Sequence, residues 1–444
     1  MPRGAGIEVN QQGHLVVGGV DVVDLAREYG TPLYVLDEGE FRKNCRVFRE
    51  VFALYGDSQV IYASKTLSCL AVCAMVAQEG LGLDVVSGGE LYTALKAGFP
   101  PERIFFHGNN KTDEELAMAL QAGVGRIVVD NYFEMERLRI ACQAAGRRQA
   151  VLLRITPGVE AHTHEYVRTG QIDSKFGFTL PTGDALQAVR EALAAPELEL
   201  TGLHCHIGSQ IFEMESYAHA TEVMADFLAE VHAATGVHLR ELNMGGGFGI
   251  RYVEGDTPDR PERWANAVMT TLRARLDHLG LPMPKVIVEP GRAIAGPAGI
   301  TVYTVGSSKH IPGVRRYVAV DGGMTDNPRP ALYGSRYEAV IANRMREAAD
   351  EMVSVAGRCC ESGDMLLWDV RLPSPQAGDL LVTFATGAYN YSMSSNYNRI
   401  PRPAMVLVGD GRAELIVRRE SYEDLIRNDL LPERLKGPCP AESA

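Results

Sequence analysis

The feature that most restricts this chain is an alternation that persists for more than half its length. Short runs rich in Val, Ile and Leu recur, each followed by a segment with helical spacing: "VIYAS" 60–64, "GLDVVS" 82–87, "RIFFHG" 103–108, "RIVVD" 126–130, "AVLLRI" 150–155, "LTGLHCHIG" 200–208, "ELNMGGG" 241–247 and "KVIVEPG" 285–291. The segments between them, such as "TDEELAMALQAG" and "NYFEMERLRIACQAAG", place apolar residues at i, i+3 and i+4 and often close on glycine, as helix C-termini do. Eight such units over about 240 residues predict an α/β fold of the (β/α)₈ barrel type. A doubly wound open sheet has the same alternation, and periodicity alone does not distinguish the two.

From about residue 300 the runs alternate without helices between most of them: "ITVYTVGSSKH", "RRYVAVDGG", "YEAVIAN", "DMLLWDV", "DLLVTFATG", "AMVLVGDG" and "AELIVRR". This pattern predicts an antiparallel β domain. Near the N-terminus, "HLVVGGVDV" and "TPLYVLD" are strand-like and are expected to join it. The expected division is a barrel over residues 37–300 and a β domain built from 1–36 and 301–444, a two-domain solution that suits 444 residues.

A formal net charge of −12 supplies no basic surface for nucleic-acid phosphates or anionic lipid, which leaves small-molecule chemistry. The longest uncharged apolar run, Leu67 to Ala77, is far short of the ~18 residues a membrane span needs. With no apolar signal core at the start, a cytoplasmic protein is expected. Eight cysteines include no CxxC pair, so no zinc knuckle is expected. The neighbours Cys359 and Cys360 fit disulfide geometry poorly and are expected to be free thiols.

In a barrel of this kind, reactive groups sit just past the C-terminal ends of the strands. There the chain places Ser64 and Lys65, Ser87, His107, Arg154, His206, the triplet Gly245, Gly246 and Gly247, and then Glu289, Gly291 and Arg292. Glycines let backbone N–H groups approach a phosphate, and the loops after strands seven and eight are the usual phosphate site. Lys65, following an apolar strand, is expected to be partly desolvated and able to lose its proton for attack on a carbonyl. Lys175 in "DSKFGF" competes, but from a loop. A lysine, a phosphate site and a carboxylate on one rim point to pyridoxal phosphate, with Glu289 against the pyridine nitrogen and His206 over the ring. The pair His204 and His206 keeps a zinc hydrolase in play, since an HxH on a strand directs two imidazoles to one face. A metal, however, would leave Lys65 and the glycine triplet without a task, so none is expected.

The strings "YASK", "GLDVVSGGEL", "GLHCHIGSQI", "NMGGGFGI", "EPGR", "DGGMTDNPRPALY", "CCESGD" and "GAY" together resemble the diaminopimelate decarboxylase family, pyridoxal-phosphate enzymes on an alanine-racemase-like barrel. The likeness runs from about residue 31 to about residue 420. It implies that Lys65 carries the cofactor, His206 stacks on its ring, Glu289 pairs with its nitrogen, and Ser209, the triplet and the "EPGR" loop hold its phosphate. It further implies that Arg292, Arg329 and Tyr333 grip substrate carboxylates, that Glu361 receives the distal ammonium, and that Tyr389 reaches both cofactor and substrate. The implied reaction is decarboxylation of meso-diaminopimelate to L-lysine and carbon dioxide, the last step of lysine biosynthesis, with Cys360 as proton donor. A homodimer is implied as well, in which Cys360 and Glu361 serve the partner's site. A decarboxylase of another basic amino acid, a racemase on the same barrel and a cofactor carrier without turnover are the alternatives. "YASKT" departs from the "KAN" or "KAF" of many family members but keeps the lysine, and Cys359 is an extra cysteine expected to serve packing.

Overall fold

The computed structural model describes residues 6–159 and 173–436. The eight apolar runs become eight parallel strands in ring order: Ser58–Ala63, Gly82–Val85, Ile104–Phe106, Arg126–Val129, Gln149–Thr156, Leu198–His204, Glu241–Asn243 and Lys285–Val288. The last strand returns to the first, with Val286 opposite Ser58 and Ile287 opposite Gln59, so the sheet is a closed barrel and not an open doubly wound sheet. Both faces of such a sheet are covered, which is why its strands read as unbroken apolar runs instead of alternating ones. Ile61, Phe105, Val128, Leu152 and Ile287 form a cluster of their own. Neighbours of opposite parity, such as Val60 and Tyr62, belong to the larger core shared with the helices.

Local chemistry starts the helices where the pattern predicts. Thr112 caps Asp113–Ala122 through a capping box with Glu115, and Asn131 caps Tyr132–Ala145 by accepting the Glu134 N–H. Each cap fixes where the chain leaves a strand end, and those exits are where the polar residues accumulate.

The second sheet runs Met365–Leu372, Glu351–Ala356, Arg315–Val320, Gly299–Ile311, Leu33–Asp37, Ala404–Gly409, Arg412–Val417, with Leu380–Thr383 pairing both Gly299–Ile311 and Ala339–Ile341. The expected "TPLYVLD" strand thus lies in the middle of this sheet. Most pairings are antiparallel, but Arg315–Val320 pairs Glu351–Ala356 in parallel, as Leu33–Asp37 does with Ala404–Gly409. Two details differ from expectation. The "HLVVGGVDV" run forms a separate three-stranded sheet with Ile7–Val9, although Leu15 and Val17 still pack into the core of the second domain. Strand Glu351–Ala356 was not foreseen, because exposed Met352 and buried Ser354 invert the alternation expected of a half-buried strand.

Candidate active site

Lys65 sits on a single turn, Ser64–Thr66, at the C-terminal end of the first barrel strand. Thr66 ties this turn down: its hydroxyl donates to the Ala63 carbonyl at 2.8 Å, and its own carbonyl accepts the Tyr389 N–H at 2.8 Å. The "GAY" loop of the second domain is therefore stapled beside Lys65. Burial pulls the Lys65 ammonium down, but the negative potential of Tyr389, Asp84 and Glu289 more than offsets it, so the net direction is up. The amine expected to attack a carbonyl thus stands among acidic groups as well as being desolvated.

Glu289, at the end of the eighth strand, is buried and well held. Its Oε1 accepts the Asn243 side-chain N–H at 2.7 Å, and its Oε2 lies 3.4 Å from His204 Nε2. His107 Nε2 lies 3.0 Å from Oε1, a close approach poorly aligned for a hydrogen bond. Burial alone would raise this carboxyl, yet the two histidines hold it well below its ordinary range. Burial pushes His204 down to about 4, so that imidazole is neutral at physiological pH and supports Glu289 as a hydrogen-bond donor.

The HxH pair separates. His204 joins His107 and Glu289, whose ligand atoms lie within 4.8 Å of one another. His206 lies past the strand end and accepts the Gly246 N–H on Nδ1 at 3.2 Å, which leaves its proton on Nε2. Burial, with Lys65 and Arg154 adding positive potential, holds His206 well below its ordinary value, so it too is neutral. The two imidazoles that prompted a zinc reading thus serve different groups.

The glycine triplet is required by space. A Cβ on Gly246 would lie 2.2 Å from the Glu289 carbonyl oxygen, and one on Gly247 2.3 Å from that of Gly208; Gly245 and Gly247 also hold φ of 68° and 97°. A Cβ on Gly291 would meet the Thr66 methyl at 2.5 Å. Strands seven and eight and the Lys65 turn are thereby drawn together around a small recess lined by Lys65, His206, Ser209, Gly247, Gly291 and Arg292.

Above this recess lies a cavity of about 710 Å³, lined by Lys65, His206, Ser209, Glu289, Arg292, Arg329, Tyr333 and Tyr389. Asp84, His107, Arg154 and Tyr252 line it as well. Arg292 donates to the Tyr252 hydroxyl at 2.6 Å and to Ser209 Oγ at 2.9 Å. Arg329, from the short helix Arg329–Tyr333 of the second domain, donates to the same Tyr252 hydroxyl at 2.7 Å. Burial would raise the Tyr252 phenol, but the two guanidiniums bring it below its ordinary value. Each of these guanidiniums keeps a buried Nε with no hydrogen-bond partner, and Asp84 keeps a buried Oδ1 with none, 3.8 Å from His107 Nε2.

Residues 38–296 match the family described as "Pyridoxal-dependent decarboxylase, pyridoxal binding domain". Diaminopimelate decarboxylase of Bacillus subtilis (strain 168) is 53% identical over 422 residues, covering 95% of this chain and 96% of its own. The chain belongs to the diaminopimelate decarboxylase family. The Synechocystis enzyme is 48% identical, covering 96% of this chain and 92% of its own. Among solved structures, diaminopimelate decarboxylase of M. jannaschii in co-complex with L-lysine superposes with a TM-score of 0.91 at 35% identity, covering 97% of this chain and 99% of its own. The enzyme of Helicobacter pylori complexed with L-lysine does so with a TM-score of 0.84 at 31% identity, covering 92% and 98%.

Family members use pyridoxal phosphate, and the residues present fit it. The recess bounded by glycines that admit no side chain suits a phosphate, the lysine stands beside it, the Glu289 carboxylate is placed to accept a hydrogen bond from a protonated ring nitrogen, and the unpartnered guanidinium N–H groups are free to donate to an anionic ligand. Cys360 and Glu361 stand apart: both are exposed on the surface of their own chain, where the Cys360 N–H donates to Asn398 Oδ1 at 2.7 Å. Cys359 is buried, and both cysteines are free thiols. Lys175 is exposed, with its Nζ 5.0 Å from the Phe176 ring. Sequence reasoning missed Tyr252 entirely, since a tyrosine three residues beyond a glycine-rich loop carries no chemical signature. Asn243 stood inside the quoted "NMGGGFG" string, but only the fold shows its amide meeting Glu289.

Proposed function

We propose that this protein decarboxylates meso-diaminopimelate to L-lysine and carbon dioxide, the closing step of lysine biosynthesis. The observation that carries the reading is the convergence on one cavity of a cofactor-binding set, Lys65, His206 and Glu289, and a carboxylate-binding set, Arg292 and Arg329. A diamine precursor such as ornithine has no second carboxylate to answer that arginine pair.

When bound, pyridoxal phosphate supplies a protonated ring that accepts the electron pair released as carbon dioxide leaves. Lys65 would hold it covalently, Ser209 and the loops of Gly245, Gly246, Gly247 and Gly291 would hold its phosphate, and His206 would cover its ring. Glu289, kept ionised by Asn243, His204 and His107, retains the proton at its partner nitrogen. Arg292 and Arg329 with Tyr333 orient the substrate by its carboxylates, and Tyr389 closes the cavity beside Lys65. No metal takes part in this reading: the trio His107, His204 and Glu289 serves to keep the carboxylate charged.

The assembly is a homodimer in this proposal, with Cys360 delivering the proton and Glu361 meeting the distal ammonium in the partner's cavity. Their exposure on their own chain, outside the cavity that Lys65 lines, supports that arrangement. In this reading the barrel unit spans residues 37–300 and the β unit 1–36 and 301–444, of which residues 1–5, 160–172 and 437–444 lie outside those described. No helix among the described residues is long and apolar enough to cross a membrane, and we place the enzyme in the cytoplasm.

Product analysis tests the reading. Wild-type protein with cofactor and meso-diaminopimelate is expected to yield L-lysine and carbon dioxide in equal amounts, whereas stereochemical interconversion without gas release would indicate a racemase. Mixing inactive Lys65→Ala and Cys360→Ala subunits tests the shared site: recovery of part of the activity is expected, and none would contradict it.

A further inference from the structure

Two guanidiniums face the same cavity, and both are buried. Like charges so placed repel unless an acceptor lies between them. Here that acceptor is one oxygen: the Tyr252 hydroxyl takes an N–H from Arg292 at 2.6 Å and one from Arg329 at 2.7 Å. The second arm of each fork is also tied, Arg292 to Ser209 and Arg329 to Ser335 Oγ at 3.1 Å. Each guanidinium is therefore held at two points, and the point they share is Tyr252.

The ring adds to the hold. Its centroid lies 5.7 Å from the Arg292 carbon Cζ and 4.9 Å from that of Arg329, and Tyr337 packs against it edge-on at 5.4 Å. The backbone is fixed independently of any ligand. Asp256 Oδ2 accepts the N–H of Tyr252 at 2.9 Å and of Val253 at 3.1 Å, while Gln210 both donates to and accepts from the Ile250 backbone.

We propose that Tyr252 is a positioning residue that sets the distance and angle between Arg292 and Arg329, and so selects substrates carrying a distal carboxylate. A phenol suits this task better than a carboxylate. Asp or Glu at this place would neutralise the arginine pair, whereas a neutral hydroxyl accepts two charge-assisted bonds and leaves the positive charge for the substrate. Arg292 comes from the barrel and Arg329 from the second domain, so Tyr252 also joins the halves of the cavity.

The inference rests on the reading of both arginines as carboxylate partners, and the experiment separates the two. Tyr252→Phe keeps the ring and removes only the shared acceptor. With meso-diaminopimelate, KM is expected to rise at least about tenfold, the scale of a lost hydrogen bond to a charged group, while cofactor content is unchanged and kcat moves by a smaller factor. Inhibition by pimelate, a seven-carbon dicarboxylate without amines, is expected to weaken in parallel. Unchanged KM and pimelate inhibition would overturn the inference, as would loss of folded protein or cofactor, which would mark Tyr252 as structural. Failure of the wild-type protein to act on meso-diaminopimelate would instead sink the proposed function.

Discussion

The Asp364 carboxylate accepts the backbone N–H of Cys359 at 2.7 Å on one oxygen and that of Met324 at 2.6 Å on the other. One side chain thus ties the "CCESGD" loop to the loop that leads into Arg329, and in the proposed dimer these two loops serve different active sites. Asp364→Ala is expected to lower kcat/KM at least about tenfold, since charge-assisted bonds to two loops are lost. Cofactor content should not change, and Asp364→Asn, which keeps one acceptor oxygen, should fall between. Steady-state kinetics with cofactor absorbance checks this.

Glu289 has two rival uses in this geometry, as the partner of a ring nitrogen or as one of three metal ligands. For the first, Glu289→Gln should reduce kcat on the order of a hundredfold, comparable with removing one preorganised charge-stabilising group. A chelator should leave the wild-type rate unchanged. A rate that chelation abolishes and zinc restores would favour the metal.

Asp326 lies buried beneath the Arg329 loop, accepting the Tyr303 hydroxyl at 2.7 Å and the Gly323 N–H at 2.8 Å. Burial raises its carboxyl to about 7, against bonds from those two groups that act to lower it. A carboxyl raised in the folded state binds its proton more tightly there than in the unfolded chain. Its contribution to stability is therefore full below the unfolded value of about 4 and is lost as pH rises through about 7. Asp326→Asn should remove this loss, so its Tm relative to wild type should rise from pH 5 to about pH 7 and level off above that. Paired thermal melts across that range measure it.

The barrel was legible because most of its strands are buried on both faces and show apolar runs, and because several of the helices between them end in glycine. Closure was not legible: Val286 meeting Ser58 is a long-range pairing that local pattern does not encode. The strand-end rule brought Lys65, His206, Glu289 and Arg292 forward, since charge at the end of an apolar run is conspicuous. The groups that steady them, Asn243 on Glu289, Tyr252 between two arginines and Asp364 under two loops, are ordinary polar residues whose meaning lies in contacts across the fold. The acidic neighbours of Lys65 were hidden for the same reason, because they come from other strands and from the second domain.

The most direct test of the account is to fix the bound cofactor to the protein by borohydride reduction and map the labelled peptide. The account predicts a pyridoxyl group on Lys65 that is absent from Lys65→Ala. A label on Lys175, or none on a protein that still turns over meso-diaminopimelate, would contradict it.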